Sequence, residues 1–254
     1  MAVVCGFFFA REYMTAQKEI AEYTEIQGSY TSILTENGVS EDYGALPETA
    51  VLPYVTVDFD ALLNANTQTI GWLAIPGTEV SYPVLQAENN NKYLHTSFSG
   101  ERSGAGALFM DSNNAADPLD KNTVVYGHNM GQGRTDMFGA LLYYDEKSYY
   151  DGHQWIQFDT IHKQYGWWRI FAVIHLDATA GGFDYLQQNF SDAAEFDAWI
   201  AQAKTLSLYD TGTEVLADGR ILTLSTCNRS IGHGRNGRQI IMAVQTSGQL
   251  GPKS

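Results

Sequence analysis

No cluster of lysines and arginines occurs anywhere in this chain. Acids outnumber bases, 29 Asp and Glu against 15 Lys and Arg, for a formal net charge of −14. Nucleic-acid binding rests on clustered cations that neutralise phosphates, so this charge balance argues against a nucleic-acid partner. Cysteine is scarce too, with only Cys5 and Cys227. Their spacing gives no support to a disulfide, and two free thiols are the expectation. The N-terminal apolar run, Ala2 to Ala10 before Arg11, is shorter than the ~20 residues that cross a bilayer. It also lacks the basic start and small-residue cleavage site of a signal peptide. Two readings of that run stand: the tail of a membrane anchor, or an apolar helix start packed on the domain. Clusters of His, Cys and Asp at metal-ligand spacing are missing, and no Asp-rich loop has calcium-binding form, so neither metal nor cofactor is expected. Charged residues make up only 17%, whereas 44% are hydrophobic, a globular composition with ample material for a core.

Residues 11–37 are polar and compatible with a helix, with Tyr13, Met14, Ile20 and Tyr23 among charged neighbours. From Asn37 to Pro53, Gly38, Gly44, Pro47 and Pro53 punctuate an acidic stretch that reads as a linker. The division expected is a helix and linker over 1–50 and one main domain over 51–250. Short strand-like runs dominate that domain: Trp72–Ile75, Glu79–Leu85, Gly106–Met110, Thr123–Tyr126, Trp155–Asp159, Trp167–Leu176, Arg220–Ser225 and Gln239–Gln245. Gly, Pro, Asn and Asp separate them. Such a series predicts a mostly antiparallel β-barrel or sandwich. Two stretches break the pattern. Met137–Tyr150 has Phe138, Leu141, Leu142 and Tyr144 at helical spacing, and Ala193–Lys204 has Phe196, Trp199 and Ile200 at i, i+3 and i+4. Asp192 stands before the second as an N-cap, with Glu195 three residues on.

The strongest local feature is Thr223-Leu224-Ser225-Thr226-Cys227, which closes an apolar, β-branched run. It puts a thiol at the end of a strand. A polar, Gly-rich loop follows, and Arg238 opens the next apolar run, Gln239 to Val244. Adjacent strands joined by that loop would set Cys227 and Arg238 side by side. Sulfur could then add to a carbonyl while a cation or N–H group stabilises the oxyanion. A second feature is Val124-Val125-Tyr126-Gly127-His128-Asn129-Met130, again a polar residue just past a strand. A thiol of ordinary pKa is mostly protonated at neutral pH and needs such an imidazole. Taken residue by residue, a strand cysteine is more often inert packing, so spacing leaves a Cys–His enzyme beside an unreactive core thiol.

These segments resemble the class B sortases, a family of cysteine transpeptidases. Thr223 to Cys227 with Arg238 is similar to the sortase active-site signature. Asn122 to Met130 with Met137-Phe138-Gly139 resembles the class B histidine segment. Gly71 to Thr78 and Tyr82-Pro83-Val84 resemble the first strands. Asn90-Asn91-Lys92-Tyr93-Leu94 resembles the substrate-proximal Asn-x-x-Tyr-Leu segment, although Asn89 stands where the family often has Asp. The likeness runs from about residue 56 to 247. It implies a closed β-barrel of about eight strands with added helices, including an N-terminal helix and a helical insertion before the Cys strand. By that resemblance Cys227 attacks the carbonyl of a Thr in a sorting peptide and forms a thioacyl intermediate. His128 then protonates the departing amine and later deprotonates the incoming one. Arg238, rather than Arg229 or the nearer rival Arg235, hydrogen-bonds substrate or oxyanion. Asn90, Leu94, Tyr126, Ser225 and Thr226 would line the peptide site, and His233 is read as solvated loop.

The partners implied are an Asn-Pro-x-Thr-like sorting signal of a secreted protein and an amine of peptidoglycan or of a pilin. The place implied is the extracellular face of a Gram-positive-type membrane, reached through an N-terminal anchor. Two rival functions remain at this stage. One is a thiol hydrolase that releases its acyl group to water, and the other is a non-catalytic surface domain with an unreactive Cys227.

Overall fold

A computed structural model describes residues 2–34, 52–131, 133–164, 166–231 and 236–246, with side chains from Met14 onward except that of Leu34. The side chain of Cys5, most of the linker with the division near residue 50, and the loop residues His233 and Arg235 lie outside the described residues. Eight strands close into a barrel: β3 (Thr69–Ala74), β4 (Ser81–Leu85), β5 (Leu108–Met110), β6 (Asn122–Tyr126), β7 (Trp155–Thr160), β8 (Trp167–Asp177), β9 (Ile221–Cys227) and β10 (Gly237–Gln245). Around the barrel the order is β10-β8-β7-β3-β4-β5-β6-β9. Each of the eight strand-like runs in the sequence falls on one of these strands. Pairing is antiparallel except between β4 and β5 and between β6 and β9, which run parallel. The second parallel pair matters most, because it brings two strand C-termini to one rim.

The strands around β10 are buried on both faces, which is why they read as unbroken apolar runs. On β10, Ile241 and Ala243 face the barrel interior with Leu222 and Leu224 of β9. Ile240, Met242 and Val244 face the other way, into a second core with Ile221, Val124 and Ile174. Helix α4 (Ala193–Leu206) covers that outer core with Phe196, Trp199, Ile200 and Ala203. Its start is built as the sequence predicts. Asp192 caps it by accepting from Glu195 N at 2.9 Å. Glu195 reaches back one residue beyond the cap, accepting from Ser191 N and Oγ at 2.6 and 2.8 Å.

Helix α1 (Ala2–Tyr30) is longer than the sequence suggested and ends sooner, since Thr31–Leu34 is strand β1, paired with β2 (Tyr54–Val57). Among the described residues no helix is long and apolar enough to cross a membrane. The helix docks on the barrel through a face that is half polar. Tyr23 and Ile26 are buried in the barrel core cluster. The buried Glu19 carboxylate accepts from Ser103 Oγ, Gly104 N and Ala105 N at 2.8, 2.6 and 3.2 Å. Gln27 Nε2 donates to Ser81 O at 2.7 Å. Beyond β2 comes α2 (Phe59–Ala65), capped by Asp58, whose carboxylate accepts from Ala61 N. The stretch Met137–Tyr150 is not one helix. It is a 3₁₀ segment, Gly139–Asp145, followed by α3 (Lys147–Gly152), with Glu146 extended between them at φ −96°, ψ 120°.

β2 joins the barrel through two buried side chains of β7. Gln157 accepts from Val55 N and donates to Val55 O. Asp159 accepts from Tyr54 Oη and Gln157 Nε2, both at 2.6 Å, and from Gly166 N at 3.0 Å. Burial nevertheless pushes the Asp159 carboxyl up from 3.8 to about 6, with the three donors pulling the other way. A carboxyl whose folded pKa is raised stabilises the fold fully below its unfolded value and loses that contribution as pH rises through the folded one. The window is therefore about pH 4 to 6, and the loss is on the order of 3 kcal/mol. Asp159→Asn should remove this slope. Urea unfolding of both proteins at about pH 4 and pH 7 should show the stability gap moving in favour of the variant as pH rises. A gap that stays constant across that range would contradict the assignment.

Candidate active site

β6 and β9 end together, because Tyr126 is the parallel partner of Ser225. One residue past that pair lies Gly127, and its register is locked in both directions. Gly127 N donates to Ser225 O at 3.3 Å, and Thr226 Oγ1 donates to Gly127 O at 2.7 Å. His128 follows, and Asn129 Nδ2 donates to Cys227 O at 2.9 Å. His128 is thus held between two residues that are each bonded to the end of the cysteine strand. Across the other side of β9, Cys227 is the direct cross-strand partner of Arg238 on β10. The structure brings Cys227, His128 and Arg238 to one rim, and all three are half-buried. Cys227 carries a free thiol.

The connection between Cys227 and Arg238 begins and ends tightly. Asn228 N donates to Gly237 O at 2.9 Å, and Asn228 Nδ2 to Gln239 Oε1 at 3.0 Å. A side chain on Gly237 would meet Asn228 O and Ile231 O at 2.2 Å, so only glycine fits before Arg238. The guanidinium Nη1 of Arg238 donates to Gly237 O at 3.0 Å. Arg229 is exposed on the loop.

The ring of His128 is oriented by a backbone carbonyl. Its Nε2 lies 2.8 Å from Leu94 O. A carbonyl only accepts, so this nitrogen carries the hydrogen, and Nδ1 is left as the basic atom of the neutral ring. Leu94 ends a short 3₁₀ segment, Lys92–Leu94, whose Tyr93 is fully buried. Phe138 N donates to His128 O at 2.9 Å from the opposite side.

The other residues expected to line a peptide site divide into two groups. Ser225 and Thr226 are only 2% and 3% exposed, and both hydroxyls bond within the protein, Ser225 Oγ to Tyr185 Oη and Thr226 to Gly127 O. Asn90 and Tyr126 are half-buried and converge on Asp111, just past β5. Tyr126 Oη donates to Asp111 Oδ2 at 2.7 Å, and Asn90 Nδ2 donates to the same oxygen at 3.0 Å. Burial, then the bond to Asp111 and its charge, hold the Tyr126 phenol well above its ordinary pKa, while the nearby Arg238 guanidinium pulls it down. The phenol therefore stays protonated. Asp111, Asn129 and Tyr185 had no role in the sequence reading. Asn129 stands beside His128 in the motif, and Asp111 is an acid directly after an apolar strand, signals that are visible only in retrospect. Among the described residues no group of three or more His, Cys, Asp or Glu is placed to hold a metal ion.

Gly127 has no room for a side chain either. A Cβ there would lie 2.4 Å from Leu108 Cδ2 and 2.7 Å from the Phe138 ring, and both neighbours are fully buried. Gly127→Ala should cost about 2 kcal/mol of stability through overpacking. It should also displace His128, the next residue. A thermal melt together with a peptide-cleavage assay checks this. An unchanged melting temperature with full activity would show that the rim yields easily.

A sequence model of the Sortase domain family matches residues 73–246. Sortase B of Listeria monocytogenes is 35% identical over 180 residues, which cover 71% of this chain and 70% of that protein. The chain belongs to the sortase family, in class B. Sortase B of Staphylococcus aureus is 28% identical over 225 residues, covering 89% of this chain and 84% of the relative. The solved Staphylococcus aureus sortase B–substrate complex superposes with a TM-score of 0.72 at 25% identity, over 91% of this chain and 98% of that one. As a class B sortase, the protein is a cysteine transpeptidase on a closed eight-stranded barrel. Helix α4 occupies the place of the insertion expected before the cysteine strand.

Proposed function

We propose that this sortase cleaves an Asn-Pro-x-Thr-like C-terminal sorting signal after Thr and transfers the acyl group to an amine of peptidoglycan or of a pilin, with Cys227, His128 and Arg238 as its machinery. The observation that carries this reading is the pairing of Cys227 with Arg238 across β9 and β10, beside a histidine ring fixed by Leu94 O. Sγ of Cys227 forms a bond to the Thr carbonyl carbon, and its proton passes to Nδ1 of His128. The resulting oxyanion accepts a hydrogen bond from Arg238. When the tetrahedral adduct collapses, the C–N bond breaks and His128 returns the proton to the leaving amine. A thioacyl enzyme remains. An incoming amine attacks that thioester and gives up a proton to His128. The C–S bond then breaks, the new amide leaves, and His128 returns its proton to Sγ to restore the thiol. Asn90, Leu94 and Tyr126 are assigned to the peptide groove.

The choice of substrate rests on class resemblance, and the acceptor on the chemistry of a thioester, which amines attack readily. Both substrates belong outside the cell. We therefore place the enzyme at the extracellular face of the membrane, held through its N-terminal segment. The test is a panel of quenched fluorescent peptides of Asn-Pro-x-Thr, Ser-Pro-x-Thr-Gly and Leu-Pro-x-Thr-Gly type, with and without triglycine. Cys227-dependent cleavage after Thr, diverted from acid to amide by triglycine, is the expected result. Acid alone at saturating amine would make the protein a thiol hydrolase. No cleavage of any peptide, with a slowly alkylated Cys227, would overturn the catalytic reading and leave a surface domain.

A further inference from the structure

Asp111 is 4% exposed and lies directly behind the site. Its two oxygens have different partners. Oδ1 accepts from Asn113 N and Asn113 Nδ2 at 2.8 and 3.1 Å. Oδ2 accepts from Tyr126 Oη at 2.7 Å and Asn90 Nδ2 at 3.0 Å. Asn90 is fixed at its other end as well, since its Oδ1 accepts from Ser112 N at 2.8 Å. Both side-chain orientations are therefore determined. Tyr126 has used its only hydrogen on Asp111 and keeps just its oxygen lone pairs. Asn90 has used one N–H and one of the two lone pairs of its oxygen, and it keeps a single N–H to donate. An extended peptide offers alternating carbonyls and N–H groups to such a pair. A lone pair on Tyr126 suits a peptide N–H, and the spare N–H of Asn90 suits a peptide carbonyl.

We infer that Asp111 is a positioning residue that sets the hydrogen-bond polarity of the peptide groove, making Tyr126 an obligate acceptor and aiming the one remaining N–H of Asn90 at the sorting peptide. The inference rests on the proposed contact of Asn90 and Tyr126 with substrate. An aspartate side chain suits this place because every group around its two oxygens is a donor. In Asp111→Asn, the amide oxygen would face the two donors of Asn113. That puts its NH₂ at the position of Oδ2, against two further donors. Tyr126 would have to turn its O–H toward the groove, and Asn90 would lose its anchor.

The test is a mutant cycle read with the cleaved peptide of the panel and with iodoacetamide alkylation of Cys227. Asp111→Asn should lower kcat/KM by about 10- to 100-fold, mostly through KM, as expected for a lost charge-assisted hydrogen-bond pair. Alkylation should change by less than about 2-fold. In an Asn90→Ala/Tyr126→Phe background the same change should cost less than about 3-fold, because the groups it acts through are gone. Tyr126→Phe alone keeps the ring in place and supplies a second cycle with Asp111→Asn should the triple variant melt early. If Asp111→Asn costs as much in the double-variant background as in the wild type, or slows alkylation in proportion to cleavage, Asp111 is structural and the inference fails. If Asn90→Ala/Tyr126→Phe cleaves the peptide as fast as wild type, the proposed substrate contacts fail and the inference falls with them.

Discussion

Cys227→Ser is expected to lower kcat/KM for peptide cleavage by about 10⁴-fold while leaving the melting temperature within a few degrees of wild type. The exchange replaces one sulfur by an oxygen of smaller radius at the half-buried end of β9. The backbone bonds that hold this residue are untouched: its carbonyl still accepts from Asn129 Nδ2 and its strand still pairs with Arg238. The chemistry changes far more than the packing. A hydroxyl is some seven pKa units less acidic than a thiol, and one imidazole without an orienting carboxylate does not activate it well. Circular dichroism and the cleavage assay on the same sample check both halves of this expectation. A serine variant within 10-fold of wild type would mean that Cys227 is not the nucleophile.

His128→Gln should be nearly as damaging, lowering kcat/KM by about 10³-fold. Glutamine is the informative replacement because its amide NH₂ can still donate to Leu94 O, as His128 Nε2 does at 2.8 Å. The hydrogen bond that fixes the loop after β6 is kept and only the basic nitrogen is lost. The variant should therefore fold normally yet fail to carry a proton either to the leaving amine or from the incoming one. The imidazole's contribution to the pH dependence should disappear with it, which a profile of kcat/KM against pH would show. A normal bell-shaped profile in the glutamine variant would assign proton transfer to another group.

Much of this arrangement could be read before any coordinates, and the reasons are physical. β8, β9 and β10 are packed on both faces, so their sequences are continuous apolar runs that need no periodicity to be seen. The Cys227–Arg238 pairing followed from one hairpin connection, and α4 announced itself through Asp192, Glu195 and a narrow apolar stripe. The features that stayed hidden depend on polar groups or on distant partners. α1 docks with Glu19 and Gln27 as well as Tyr23 and Ile26, so its buried face does not stand out by hydrophobicity. β1 is a four-residue strand that exists because β2 pairs with it, and β2 in turn is held by Gln157 and Asp159. The stretch Met137–Tyr150 opens on a residue with positive φ, Met137 at 53°, and is divided at Glu146 by one extended residue, neither of which a spacing rule anticipates. The parallel pairing of β6 with β9 is a long-range choice, and with the bonds just past it this pairing brings His128 and Cys227 to one rim. Asp111 was invisible for the same reason, since its partners come from segments twenty-one residues before it and fifteen after it in sequence.

The central claim is acyl transfer through a thioester on Cys227, and an intact-mass measurement tests it most directly. The protein is mixed with the cleaved sorting peptide in the absence of an amine, quenched in acid and weighed, and triglycine is then added to a parallel sample. The mechanism predicts a mass increase equal to the peptide acyl fragment, mapped to Cys227, which triglycine removes as the peptide amide. Peptide cleavage that proceeds with no adduct on Cys227, or an adduct that persists in Cys227→Ser, would contradict it.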